Sequence, residues 1–310
     1  MTNCYAGPVL GWYASHARDL PWRRPGASAW SVLVSEIMLQ QTPVARVLPA
    51  HAAWLARWPT PQSLAAAAPA DAVRQWGRLG YPRRAVWLHA TARILTDDHA
   101  GQVPASVQAL RALPGVGSYT AAAVASFAFG QRHAVLDTNV RRVLARLVRG
   151  EELPPRSASV AEVRLAEALL PAAPQRAARW SVAVMELGAL VCTAARPDCA
   201  ACPVAPQCAW QRAGRPAGAA RPASQRYAGT DRECRGRLLA VLRESAEPVP
   251  TARLEAAWPD REQQARALSA LVADGLAAVV DHQTYALPGD VAAPRPQAPG
   301  TMRRSRAPDL

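Results

Sequence analysis

From the N-terminus to about residue 210, apolar residues recur at helical spacing and no stretch alternates as a half-buried strand would. That restricts this part of the chain to an all-α fold. The segment 30–39 is apolar at seven of its ten positions, so a helix there has little polar face to give to solvent. Further helices are expected over 43–58, 70–79, 83–95, 106–113, 119–129, 139–147, 161–170 and 178–191. Short breakers separate them, among them Trp58-Pro59-Thr60-Pro61, Gly80-Tyr81-Pro82 and Leu153-Pro154-Pro155.

The rest of the chain reads differently. Residues 211–229 are rich in Gly, Pro, Ala and Arg and are expected to form a linker. Helical patterns follow at 232–244 and 261–274, with a short helix expected at 251–258. The segments 276–280 and 284–287 then alternate around Asp281-His282-Gln283. Three helices and a hairpin predict a small winged-helix-like α+β segment over 230–288. Residues 289–310, rich in Pro and Arg, predict a disordered tail.

The charge balance narrows the partners. The chain carries 36 basic residues against 23 acidic ones, a formal charge of +13, and every one of the 36 is arginine. A GC-rich codon bias accounts for the arginines, but the chemical consequence stands: no lysine amine exists to form a Schiff base. Arginine pairs well with phosphate oxygens, so the excess suits a polyanion; basicity alone leaves membrane surfaces and ribosomal RNA open. No apolar run approaches the roughly 20 residues of a membrane span, and residues 1–22 lack a signal-peptide pattern. The expectation is a cytoplasmic protein without a membrane partner and, with no symmetric interface in view, a monomer.

Four of the six cysteines, Cys192, Cys199, Cys202 and Cys208, fall within 17 residues at C-x6-C-x2-C-x5-C spacing. In a cytoplasmic chain, such a cluster predicts a metal site and not disulfides. Zinc is one occupant, although Cys4 zinc sites usually present two C-x2-C pairs and this stretch has one. Cys4 and Cys234 lie outside the array and read as ordinary thiols.

Leu113-Pro114-Gly115-Val116-Gly117 joins two expected helices. Its glycines allow a tight turn whose backbone N–H groups, at the start of the second helix, could grip a phosphate without reading sequence. The same turn could equally be a plain helix connection. Two carboxylates stand out. Glu36 lies inside the apolar segment 30–39, where burial would raise its pKa and suit it to general-acid work; a salt-bridged core glutamate is the alternative. Asp137, in Leu136-Asp137-Thr138-Asn139, is placed to cap the next helix, a role compatible with catalysis.

These residues, together with Leu20-Pro21-Trp22-Arg23, Ser35-Glu36-Ile37-Met38-Leu39-Gln40-Gln41-Thr42, Leu79-Gly80-Tyr81 and Met185-Glu186-Leu187-Gly188, run in family order over residues 20–208. The chain resembles the adenine DNA glycosylase (MutY) family of helix-hairpin-helix iron–sulfur glycosylases. The resemblance implies a six-helix barrel with the hairpin over 28–133 and a helical cluster domain over 1–27 and 134–210. It assigns the four cysteines to a [4Fe–4S] cluster. Glu36 would protonate adenine at N7 and later help activate water. Asp137, supported by Asn139, would stabilise the sugar cation, directly or through a transient covalent adduct. Tyr119 stands where endonuclease III, a relative, carries its lysine nucleophile, so simple hydrolysis is expected. Trp22, Arg23 and Glu186 match residues that line the adenine pocket. Gln41 and Tyr81 match residues that enter the duplex, with Thr42 beside them. Leu113, Gly115, Val116 and Gly117 would form the phosphate-gripping hairpin. The implied partner is double-stranded DNA containing 8-oxoguanine:A or G:A, and the implied location is the nucleoid.

Two departures matter. Residues 230–288 are too few for the Nudix-like domain of many family members, with no Phe-Ser-His segment present, and Pro82 replaces a frequent second tyrosine. The competing readings are a pyrimidine-mismatch glycosylase on the same scaffold, and a non-catalytic or redox-sensing iron–sulfur DNA-binding protein. Glu36 speaks against the first, and the presence of both Glu36 and Asp137 speaks against the second.

Overall fold

The computed structural model describes residues 3–218 and 227–290. The first part contains only helices among its described residues. They are α1 (Ala6–His16), a 3-10 turn (Pro21–Arg23), α2 (Ala29–Leu39), α3 (Val44–Arg57), α4 (Pro61–Ala65), α5 (Pro69–Trp76), α6 (Arg83–Asp98), α7 (Val107–Arg111), α8 (Ser118–Phe129), α9 (Thr138–Leu144), a π turn (Ala145–Arg149), α10 (Val160–Ala168), α11 (Pro174–Leu190), a second 3-10 turn (Ala205–Gln207) and α12 (Ala209–Arg212). The chain divides into two compact units, one of residues 1–67 and 71–227 and a second of 68–70 and 228–310.

Local chemistry explains several boundaries. Ser28 caps α2 by accepting from the Ser31 N–H, and nine of the eleven residues of α2 are buried, as its unbroken apolar run requires. α2 packs on α3, α6 and α8, which makes it the central rod of its surroundings. The Trp58–Pro61 stretch, expected only to break a helix, also starts one. Pro61 takes the first turn of α4, where its missing N–H costs nothing, and Thr60 and Ser63 close a capping box. The helix expected over 139–147 leaves α geometry at Leu144 and widens into a π turn, Ala145–Arg149, before Gly150 ends it at φ +73°.

One apolar core gathers Val9 of α1, Val143 and Leu144 of α9, and Trp180, Val184 and Leu187 of α11, with Trp210 of α12. α11 lies against both α1 and α9, so the N-terminal helix of this unit shares one core with its last helices.

The second unit contains α13 (Asp231–Arg243), β1 (Val249–Pro250), α14 (Thr251–Glu255), α15 (Arg261–Ala273), β2 (Ala278–Asp281) and β3 (Thr284–Ala286). The three helices and the hairpin fall where expected. β1 is an addition, because two residues give no alternation to read. It pairs antiparallel with β3 (Val249 opposite Tyr285), giving strand order β1-β3-β2, and an irregularity interrupts the β2–β3 register between Val279 and Asp281. Most of the expected tail, residues 291–310, and part of the linker, 219–226, lie outside the described residues.

Candidate active site and cysteine centre

Glu36, Tyr119 and Asp137 come from three helices and meet electrostatically, with Arg23 beside them. Glu36 is 4 % exposed. Burial pushes its carboxyl up to about 7; the Arg23 charge and a hydrogen bond from Tyr119 oppose the rise, and the Asp137 charge adds to it. The carboxyl therefore keeps a proton near neutrality, as expected of an acid. Burial and the same two carboxylates push the Tyr119 phenol well above its usual range, so it stays a neutral donor.

Asp137 is the N-cap of α9, as its position predicts. Its Oδ1 accepts from the Val140 N–H at 2.6 Å and its Oδ2 from the Asn139 amide at 2.8 Å. Burial raises its pKa, while these hydrogen bonds and the Arg142 charge pull it back. Asn139 is itself held, because its Oδ1 accepts from Arg142 at 2.7 Å. The same guanidinium reaches the carbonyls of Gly188 at 2.6 Å and Cys192 at 2.8 Å. Close approach of α11 permits this: a Cβ on Gly188 would lie 2.8 Å from the Cβ of Asn139.

The expected pocket residues divide. Trp22 is 4 % exposed, with its indole set edge-on to His51 at 5.0 Å. Arg23 lies between the Glu36 cluster and Glu186, to which it donates at 2.6 Å. Glu186 is wholly buried and is also bound by Arg18 through Nε at 2.6 Å, Nη2 at 2.8 Å and the backbone N–H at 3.0 Å. Despite the opposing effect of burial, hydrogen bonds from Arg18 and the Arg23 charge bring its carboxyl down to about 2. In this structure Glu186 anchors two arginines and so fixes Arg23. Sequence reasoning misses Arg18, whose partner lies 168 residues away with no motif to mark the pair.

Of the expected DNA-facing residues, Gln41 is exposed, Tyr81 is 45 % exposed, and both have left-handed backbone (φ 55° and 46°). Thr42 turns inward and its hydroxyl accepts from Arg84 at 2.9 Å. Leu113 and Val116 put their side chains in the core, leaving only backbone to face a ligand. Gly115 has φ +74°, and a Cβ there would meet the Trp87 ring at 2.8 Å. Gly117 caps α8 without a side-chain hydrogen bond, which leaves the first N–H groups of that helix available to an anion.

Cys192, Cys199, Cys202 and Cys208 line one small cavity together with Arg146 and Trp210. The described residues contain no group of three or more His, Cys, Asp or Glu side chains poised to hold a metal ion. Arg146 is 1 % exposed, stacks on the Trp210 ring at 4.6 Å and donates to Cys192 Sγ at 3.4 Å. Burial pushes Cys202 up to about 11, so a metal would be needed to hold it ionised.

Comparison with known proteins gives the family and the fold. Residues 34–167 match the model of the HhH-GPD superfamily base excision DNA repair protein. The adenine DNA glycosylase of Mycolicibacterium smegmatis is 50 % identical over 289 residues, covering 93 % of this chain and 97 % of that protein. A thermostable thymine-DNA glycosylase structure superposes with TM-score 0.61 at 27 % identity, covering 67 % of this chain and 95 % of its own. A trapped endonuclease III–DNA covalent intermediate gives 0.57 at 23 % identity, covering 67 % and 94 %, a likeness of fold. With Glu36, Tyr119 and Asp137 gathered beside a helix-hairpin-helix turn, this chain is a DNA-repair glycosylase, a hydrolase of N-glycosyl bonds, and belongs to the adenine DNA glycosylase family.

Proposed function

We propose that the enzyme removes adenine mispaired with 8-oxoguanine or guanine by simple hydrolysis without lyase action. The observation that carries this reading is Glu36: a buried carboxyl held up to about 7 next to an Asp137 whose oxygens are already committed to N–H donors. Glu36 donates its proton to N7 of an extruded adenine, and the C1′–N9 electron pair leaves with the base. Asp137, fixed by Val140 and Asn139, faces the cationic sugar. Water, relieved of its proton by Glu36, adds at C1′ and leaves an abasic site. Tyr119 keeps Glu36 oriented, and the lack of any lysine removes the Schiff-base route.

Arg23, held by Glu186, and Trp22 form the wall toward the base. Gln41 and Tyr81 are the wedges that enter the duplex, and the 113–117 turn grips a phosphate through backbone N–H groups. The four cysteines line one cavity without yet forming a poised ligand set, and drawn together they would hold a [4Fe–4S] cluster that shapes the loop 192–208. Residues 28–133 act as the barrel, 1–27 and 134–210 as the cluster domain, and 230–288 as a winged-helix-like appendage. The enzyme works as a monomer at the nucleoid; among the described residues no helix is long and apolar enough to cross a membrane.

The test is single-turnover base release from duplexes holding 8-oxoguanine:A, G:A, C:A, A:T or G:T, followed by alkali. Adenine release opposite the two guanines, with strand scission only after alkali, is the expected result. Release of thymine from G:T would turn the reading to a pyrimidine glycosylase, and no release from any duplex would leave a DNA-binding protein.

A further inference from the structure

The loops that face DNA in this reading are joined through one buried cation. Arg84, in the first turn of α6, is 3 % exposed. Its Nη1 donates to the carbonyls of Ile37 (2.9 Å), Met38 (2.9 Å) and Gln40 (2.6 Å), at the C-terminal end of α2. Its Nη2 donates to Thr42 Oγ1 and the Gly80 carbonyl, both at 2.9 Å, and its Nε to the Tyr81 carbonyl at 3.3 Å. The same guanidinium lies 5.2 Å from the Trp76 ring and 5.4 Å from the Tyr81 ring. These partners are carbonyls, a hydroxyl and ring faces. Burial lowers Arg84 to about 10, which leaves it charged at neutral pH.

What this cation ties together is strained backbone. Gln41 and Tyr81 both sit at left-handed φ, where side chains of their size are rare and persist only when the surroundings over-determine them. A third loop joins through Gln40, whose amide donates to the Gly115 carbonyl at 3.1 Å and to Thr120 Oγ1 at 3.2 Å.

We propose that Arg84 is a positioning residue for lesion recognition, its guanidinium locking the Gln41 and Tyr81 loops into one rigid wedge before DNA arrives. The strain of both loops is then met during folding and not during base extrusion. The inference rests on the reading of Gln41 and Tyr81 as wedges. Only an arginine supplies donors spread widely enough to reach both loops; lysine keeps the charge but offers it from a single point.

Arg84→Lys is compared with the wild type on an 8-oxoguanine:A duplex, with 2-aminopurine beside the adenine to report extrusion, and on the same adenine in an unpaired bulge. Extrusion and single-turnover excision from the duplex are expected to fall about 10- to 100-fold, the cost of strain no longer met in advance. Excision from the bulge, where extrusion is cheapest, is expected to stay within about threefold of wild type. Wild-type extrusion by Arg84→Lys, or an equal loss on both substrates, would overturn the proposal. The doubly substituted Gln41→Ala, Tyr81→Ala protein separates the two claims. If it extrudes normally, the wedge reading fails; if it is slow while Arg84→Lys is normal, only Arg84 is wrong. Should Arg84→Lys fold poorly, Thr42→Val removes just the side-chain contact to the Gln41 loop. It should give the same duplex-selective loss at smaller size, and equal rates on both substrates would count against the proposal.

Discussion

Glu36 carries two linked consequences of burial, one for rate and one for stability. Glu36→Gln keeps the shape but has no proton to give, so excision should fall at least about 10²–10⁴-fold with duplex binding retained. Near-normal turnover would remove Glu36 from the chemistry. In the wild type the single-turnover rate should fall about tenfold per pH unit once pH passes about 7, as the acid is lost. Stability follows the same proton. The folded value lies above the ordinary 4.5, so the contribution is intact below that pH and is lost as pH rises toward about 7. Glu36→Gln lacks this loss, so its unfolding free energy should gain on the wild type between those limits, by an amount on the order of 3 kcal/mol, read in chemical denaturation at each pH. Glu186 works in the opposite sense. Its depressed pKa stabilises the fold above about 4.5 and is lost as pH falls toward about 2, releasing Arg18 and Arg23. Acid titration of Glu186→Gln should lack that part of the wild-type stability loss.

At the level of elements, the site depends on how closely helices approach. α9 and α11 touch at Gly188, and α9 carries Asp137 at its cap and Asn139 in its first turn. Gly188→Ala should push Asn139 away, costing about 1–3 kcal/mol as an overpacked contact. Excision should fall further than this loss of stability explains, because Asp137 loses its amide partner; an unchanged rate in the folded variant would show that Asn139 is dispensable. The hairpin is legible in the sequence because glycine spacing at 115 and 117 is a backbone instruction. The α9–α11 contact is not, since a glycine inside a helix reads only as a weak helix former. Nor is the π turn after Leu144 visible there: its residues, Ala145–Arg149, have ordinary helical composition, and the widening brings Arg146 to Cys192.

Across the whole molecule, charge is unevenly shared. Residues 1–227 hold 25 arginines and 12 acidic residues, whereas residues 228–310 hold 11 of each. The unit carrying the hairpin therefore supplies the attraction for phosphate. Duplex affinity should fall steeply with salt, and replacing exposed Arg237 and Arg253 of the second unit by Gln should leave that slope unchanged. A shallower slope in the double variant would move part of the DNA footprint onto the second unit. Iron analysis of protein purified without oxygen should give about four irons per chain; stoichiometric zinc would refute the cluster. The M. smegmatis relative is covered almost end to end, so the short C-terminal segment is shared with it.

Sequence by itself determined the features that are local or periodic. These are the helical core, the hairpin glycines, the cysteine spacing, the Asp137 cap, and a glutamate in a helix too apolar to be exposed. Tertiary structure alone decided what those residues face. It set Glu36 against Tyr119 and Asp137, turned Thr42 inward to Arg84, and committed Glu186 to Arg18 and Arg23. The division has a physical cause. Helix periodicity and turn stereochemistry are fixed by neighbours in the chain. A buried charge finds its partner by the packing of distant elements, and in a chain with 36 arginines many partners are equally open until the fold selects one.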